Sequence, residues 1–178
     1  MTARTSPLAA PLSRPRLALS LSLALLAPLA VACGPVDPEI NDPDIPDQAT
    51  ACAATVSQGD VVWPVALGAG PAEDFKPYSD GEVLPKITGG QGLSMITPLV
   101  RVEPAAGDLS EICLRVRIEE VQDGFSAQWN VLFVPVGGAL FSDGALYYPT
   151  PTTGPVDLLL TVEGDGLSGT ADISVVLE

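Results

Sequence analysis

From residue 53 to residue 178 the chain is cut repeatedly into short apolar runs by glycine, proline and Asp-Gly pairs. With 18 prolines and 17 glycines in 178 residues, a helix of useful length has nowhere to grow. Proline removes a helical donor, and glycine costs about 1 kcal/mol in a helix interior. Between the cuts the apolar residues alternate with polar ones, the two-residue period of a half-buried strand. Residues 111–121 show it best: Ile112, Leu114, Val116 and Ile118 fall on one face, Cys113, Arg115, Arg117 and Glu119 on the other. Residues 126–136 repeat it with Trp129, Val131 and Phe133. Further runs cover 60–67 (with a break at Pro64 that suits an edge strand), 82–88, 94–103, 139–148, 156–163 and 169–177. Asp80-Gly81, Asp123-Gly124 and Gly164-Asp165-Gly166 supply turns, and Asp143-Gly144 reads as a hairpin between Leu140-Phe141 and Ala145-Leu146-Tyr147. Strands with one apolar face must bury it on a second layer. The expectation for 52–178 is therefore an all-β domain, a single antiparallel sandwich of about seven to nine strands.

Charge narrows the partners. Lys+Arg is 8 against Asp+Glu 22, and Arg4, Arg14 and Arg16 all precede Cys33. From Cys33 onward five basic residues face twenty-two acids, a balance of −17. Nucleic acids and anionic surfaces are bound through basic patches, so neither is an expected partner by charge. Histidine is absent. That removes Ser-His-Asp triads, Cys-His pairs and histidine-based zinc sites, along with the commonest general base at neutral pH. No cofactor-binding motif is read, and no enzyme activity is expected.

The first 32 residues have the build of an export signal. Arg4, Arg14 and Arg16 lie in a polar opening, and residues 17–32 are Leu, Ala, Ser, Val and one proline. Sixteen residues fall short of the ~20 needed to span a bilayer as a helix. The stretch Leu29-Ala30-Val31-Ala32-Cys33 resembles the lipobox of bacterial lipoproteins, with Ala30 where leucine is usual. The resemblance implies acylation of Cys33, removal of 1–32 and a membrane partner reached through lipid. Gly34 after the cysteine, where aspartate would suggest the inner membrane, implies the outer membrane, with the domain facing periplasm or cell surface.

Residues 33–51 then read as a lipidated, disordered tether. Pro35, Pro38, Pro43 and Pro46 alternate with Asp37, Glu39, Asp42, Asp44 and Asp47. Proline holds such a stretch extended, to about 3.1 Å per residue, and like charges keep it from collapsing. Calcium binding by Asp37, Asp42, Asp44 and Asp47 is the competing use, which the prolines oppose.

In an exported protein the two remaining cysteines, Cys52 and Cys113, are expected to pair. A bridge across 61 residues is worth roughly 4 kcal/mol in the chain-entropy picture.

The last two runs and their Gly-Asp-Gly turn resemble the closing hairpin of immunoglobulin-like and fibronectin-type modules. Residues 87–95 (ITGGQGLSM), entering an apolar run after an Asp-Gly turn, resemble a stretch of myxobacterial-type envelope lipoproteins. That likeness brings no activity with it. Other candidate sites each have a plainer reading beside them. Gly89-Gly90-Gln91-Gly92 is a turn before it is an anion cradle. Glu119 and Glu120 point to opposite faces and read as a solvated strand end. Asp143, Asp165 and Asp172 offer sparse calcium ligands at loop ends. Trp63, Trp129, Tyr147 and Tyr148 form either a sugar-stacking platform or ordinary core and rim. The functional expectation is a membrane-anchored envelope lipoprotein with a structural or interaction role, an envelope protein or a glycan being its partner. A carbohydrate- or calcium-dependent binding module is the alternative.

Overall fold

The computed structural model describes residues 46–55, 61–89, 92–104 and 109–178. Cys33, the leader and the tether up to residue 45 lie outside the described residues. Among the described residues thirteen strands occur in order: β1 (Val61–Val62), β2 (Val65–Ala69), β3 (Lys76–Pro77), β4 (Glu82–Leu84), β5 (Ile87–Thr88), β6 (Ser94–Ile96) and β7 (Leu99–Val102). They continue with β8 (Ile112–Glu120), β9 (Ser126–Val136), β10 (Ala139–Ser142), β11 (Tyr148–Pro149), β12 (Gly154–Gly164) and β13 (Leu167–Leu177). A 3-10 turn, Ala72–Asp74, separates β2 from β3. No helix among the described residues is long and apolar enough to cross a membrane.

The large sheet runs β1-β13-β12-β8-β9-β10-β7-β2-β3, and a smaller one runs β11-β6-β5. Four long strands form its centre, all antiparallel, and their alternation decides which side faces inward. Leu114, Val116 and Ile118 of β8, Phe133 of β9, and Leu158, Leu160 and Val162 of β12 are fully buried. The polar partners Arg117, Glu119 and Asp157 lie on the other side. β12 and β13 join through a two-residue turn, Asp165-Gly166, with positive φ at both positions (48° and 80°). That sense of turn matches the twist of the flanking strands, so the hairpin stays in register over eleven pairs.

β1 and β2 are consecutive pieces of one strand, broken at Trp63-Pro64. Before the break the strand pairs with β13, Val61 opposite Leu167, and Trp63 N–H donates to the Ser168 carbonyl at 2.9 Å. After it the strand pairs with β7, and the Pro64 carbonyl accepts from Glu103 N–H at 2.8 Å. Proline has no N–H for a ladder, which makes it the natural point for a change of partner. One end of the sheet path, β1, thus runs on in the chain into β2, the last strand but one at the other end, and the sandwich closes on itself. Of the run read as an edge, β1 has β13 as its one strand partner among the described residues, while β2 lies between β7 and β3, so residues 61–67 form the seam. Closure requires close backbone approach: a Cβ at the buried Gly169 of β13 would lie 2.5 Å from a Val65 methyl and 2.6 Å from the Trp63 carbonyl oxygen.

Other features differ from the sequence reading. Two pairings on β13 are parallel, with β1 and with β4. The strands outnumber the seven to nine expected, because two- and three-residue pieces such as β3, β5 and β11 stitch loops to the sheets. Asp143-Gly144 does not turn a hairpin: β10 ends at Ser142 and β11 leaves for the small sheet. The reason is steric and local. The backbone of residues 47–49 sits against Gly144, where a Cβ would fall 2.7 Å from the Asp47 carbonyl oxygen.

Candidate functional site

The most built-up region lies where the acidic N-terminal stretch meets the domain. Its last residues, 46–51, were expected to be free tether; they are docked. Ala145 N–H donates to the Asp47 carbonyl (2.8 Å), Ala49 N–H to the Ala145 carbonyl (2.9 Å) and Leu132 N–H to the Thr50 carbonyl (2.9 Å). The Thr50 hydroxyl donates to Asp143 (2.9 Å), and the Tyr147 hydroxyl to the Pro46 carbonyl (2.7 Å). β10 pairs with β9 only from Phe133 to Val136. Residues 50–52 take up the next stretch of that edge, with Ala51 opposite Val131. Cys52 is bonded to Cys113 of β8, with Cα atoms 5.9 Å apart.

Two depressions adjoin this junction and share Ala72, Glu73 and Val136. One, of about 610 Å³, lies between Pro46, Asp47, Pro71, Leu99, Val134 and Asp143. The other, of about 680 Å³, is flanked by Phe75, Phe141, Arg101, Glu103 and the Gly137-Gly138 turn. Phe75 and Phe141 meet edge to face, centroids 5.5 Å apart, and the Arg101 guanidinium lies 5.3 Å over the Phe75 ring. Arg101 also pairs with Glu103. Its positive charge is therefore already engaged by a carboxylate and a ring face. Asp47, Glu73 and Asp143 are the other charged groups lining the depressions, and all three are exposed. The depression beside Pro46 and Val134 has mostly apolar walls, the one beside Arg101 is as polar as it is apolar, and the charged groups around the two are net acidic. The sequence reading missed this arrangement, since its parts come from four separate stretches, 46–47, 69–75, 97–104 and 134–145.

The residues singled out earlier do not gather there. Gly89 and Gly92 close the β5–β6 turn, Gly89 N–H donating to the Leu93 carbonyl and Gly92 N–H to the Gly89 carbonyl; Gly90 and Gln91 lie outside the described residues. Of the calcium candidates, Asp37, Asp42 and Asp44 are also outside them. Asp143 holds Thr50, Asp165 sits in the β12–β13 turn, and Asp172 lies on an exposed stretch of β13. Trp129 and Tyr148 pack together inside, centroids 6.2 Å apart, Trp63 packs on the core at the seam, and Tyr147 holds Pro46. Those four aromatics are core and rim, not one platform.

Glu119 and Glu120 face opposite ways as expected, but Glu120 is not solvated. It is fully buried. The Thr150 hydroxyl donates to one carboxylate oxygen at 2.6 Å and the Thr152 hydroxyl donates to the other. The stretch entering β12 folds over the end of β8 and supplies both donors. Nearby, burial first, and then the carboxylates of Glu120 and Asp123, push the Tyr148 hydroxyl far above its ordinary value. Burial, then Glu82, pushes Tyr78 up to about 12. Tyr78 lines a small cleft of about 180 Å³ between β2 and β13.

A raised tyrosine pKa means that the folded state holds its proton longer than the unfolded state does. The stability it contributes is complete below the unfolded value of 10 and is lost as pH climbs through the folded value. We expect alkaline unfolding to begin above about pH 10. Tyrosinate absorbance from Tyr78 and Tyr148 should rise together with loss of the β-sheet dichroism. Ionisation of both in a still-folded domain would contradict the burial described.

No protein-family model, curated protein or solved structure matches this chain.

Proposed function

We propose that this chain is an envelope lipoprotein, acylated at Cys33 and held at the outer membrane, which carries an immunoglobulin-like sandwich in a non-catalytic structural or interaction role. The observation that carries the proposal is the junction at 46–52. A leader ending in a lipobox-like cysteine is followed by an acidic, proline-rich stretch, whose far end is fixed to the domain by hydrogen bonds and by the Cys52–Cys113 bridge. A disulfide persists in the oxidising compartments that export reaches. A domain stapled at its point of entry is well suited to be held at a distance from a surface. The paired depressions beside Phe75 and Val134 are then the binding face, and their acidic rim favours a basic partner.

The anchor is tested in a bacterial host. Cys33→Ala should abolish incorporation of labelled palmitate and shift the protein from the membrane pellet to the soluble fraction. A variant that still labels and still pellets rules the anchor out.

A further inference from the structure

The N-terminal segment forms a strap whose seat is imperfect. After pairing with the β9 edge at 50–52, it leaves the Asn130 carbonyl, which accepts from Cys52 N–H at 3.2 Å. It is next fixed at Thr55, whose carbonyl accepts from Asp165 N–H at 3.2 Å in the β12–β13 turn. Between these two points lies a cross-strand row on the outer side of the sheet: Asn130 of β9, Arg115 of β8 and Glu163 of β12. Arg115 Nε and Asn130 Oδ1 are both buried there without a hydrogen-bond partner. Leaving a buried polar group unpaired costs on the order of 1–3 kcal/mol, and more for a charged one. Beside the strap thus lie two buried groups that water would serve better. What opposes its lifting is a handful of edge hydrogen bonds and one covalent bond. Both of its cysteines are half-buried, not enclosed in the core.

We propose that residues 46–55 are a redox-latched strap: Cys52–Cys113 holds it closed, and reduction lets it lift while the rest of the sandwich stays folded. The step is a two-electron exchange with a dithiol reductant. The reductant's thiolate attacks one sulfur, the Cys52–Cys113 bond breaks through a mixed disulfide, and two protons complete the Cys52 and Cys113 thiols as the dithiol becomes a disulfide. Lifting uncovers the Arg115 guanidinium, the Asn130 side chain, and the free N–H of Leu132 and C=O of Asn130 on β9. The proposal rests on the bridged domain alone and stands whether or not Cys33 is acylated.

Amide hydrogen exchange on the soluble chain from residue 34 tests it, with and without a dithiol. Losing the bridge lowers global stability, so the quantity to read is a ratio. Exchange at Ala49, Thr50, Cys52 and Leu132 is divided by exchange at amides between β12 and β13. We expect that ratio to rise at least tenfold on reduction, with the β-sheet dichroism retained. Arg115→Met, which removes the unpaired Nε–H beside the strap, should bring the rise in the reduced protein below threefold. An unchanged ratio, or loss of the sheet signal on reduction, overturns the latch. A tenfold rise that Arg115→Met leaves intact overturns the role given to Arg115.

Discussion

Gly169→Val should destabilise the domain by at least about 3 kcal/mol. Overpacking a core usually costs about 1–3 kcal/mol, because neighbouring side chains shift to make room. Here the first obstacle is the Val65 methyl, but the second is the Trp63 carbonyl oxygen, which is backbone. Residue 63 cannot retreat without breaking its bond to Ser168, and with it the seam that joins β1 to β13. For a domain of this size, 3 kcal/mol corresponds to a fall in Tm of roughly 10 °C. Val65→Ala should rescue Gly169→Ala in part and Gly169→Val hardly at all, since it removes only the side-chain clash. Urea denaturation measures both single variants at Gly169 and their combinations with Val65→Ala. If Gly169→Val lies within 1 kcal/mol of the parent, the seam does not close as described.

The second large effect concerns Glu120. Glu120→Ala should cost about 3–4 kcal/mol. It removes two charge-assisted hydrogen bonds and strands the hydroxyls of Thr150 and Thr152, the first of which is buried. Glu120→Gln keeps one acceptor and gains a donor to which a rotated threonine hydroxyl can adapt, so about 1 kcal/mol is expected. The triple variant Glu120→Leu, Thr150→Val, Thr152→Val should recover most of the loss, because a polar network replaced whole leaves nothing unpaired. Thermal melts of the three variants decide the matter. Equal losses for alanine and glutamine would mean that the carboxylate is held by packing alone.

These two positions mark what the sequence could and could not disclose. The central strands were legible because their information is local. In β8 and β12 every second side chain is apolar, and a one-residue error would turn Leu114, Val116 and Ile118 into solvent. The Asp165-Gly166 turn was legible for the same reason. Partner choice was not. Pro64 announces a break, yet nothing near it says that the chain pairs with β13 on one side of the break and β7 on the other. Asp143-Gly144 has the composition of a hairpin turn, but residues 47–49, almost a hundred positions earlier, occupy the space a hairpin would use. Glu120 reads as a solvated strand end until Thr150 and Thr152 are brought over it from thirty residues away. The candidate site suffers most, since Phe75, Arg101 and Phe141 meet only after the sheet has curled.

The seam carries a consequence for the order in which the chain can fold. Val61 pairs with Leu167, and β4 with the last residues of β13, so early segments must wait for the C-terminal hairpin. Contacts this distant in sequence are formed late and slowly, since the loop they close is long. Until residues 167–177 are available, the seam strand has no partner on its first half, and the sandwich stays open along one side. A chain emerging N-terminus first, from a ribosome or through a narrow pore, therefore remains incompletely folded until its last strand is out.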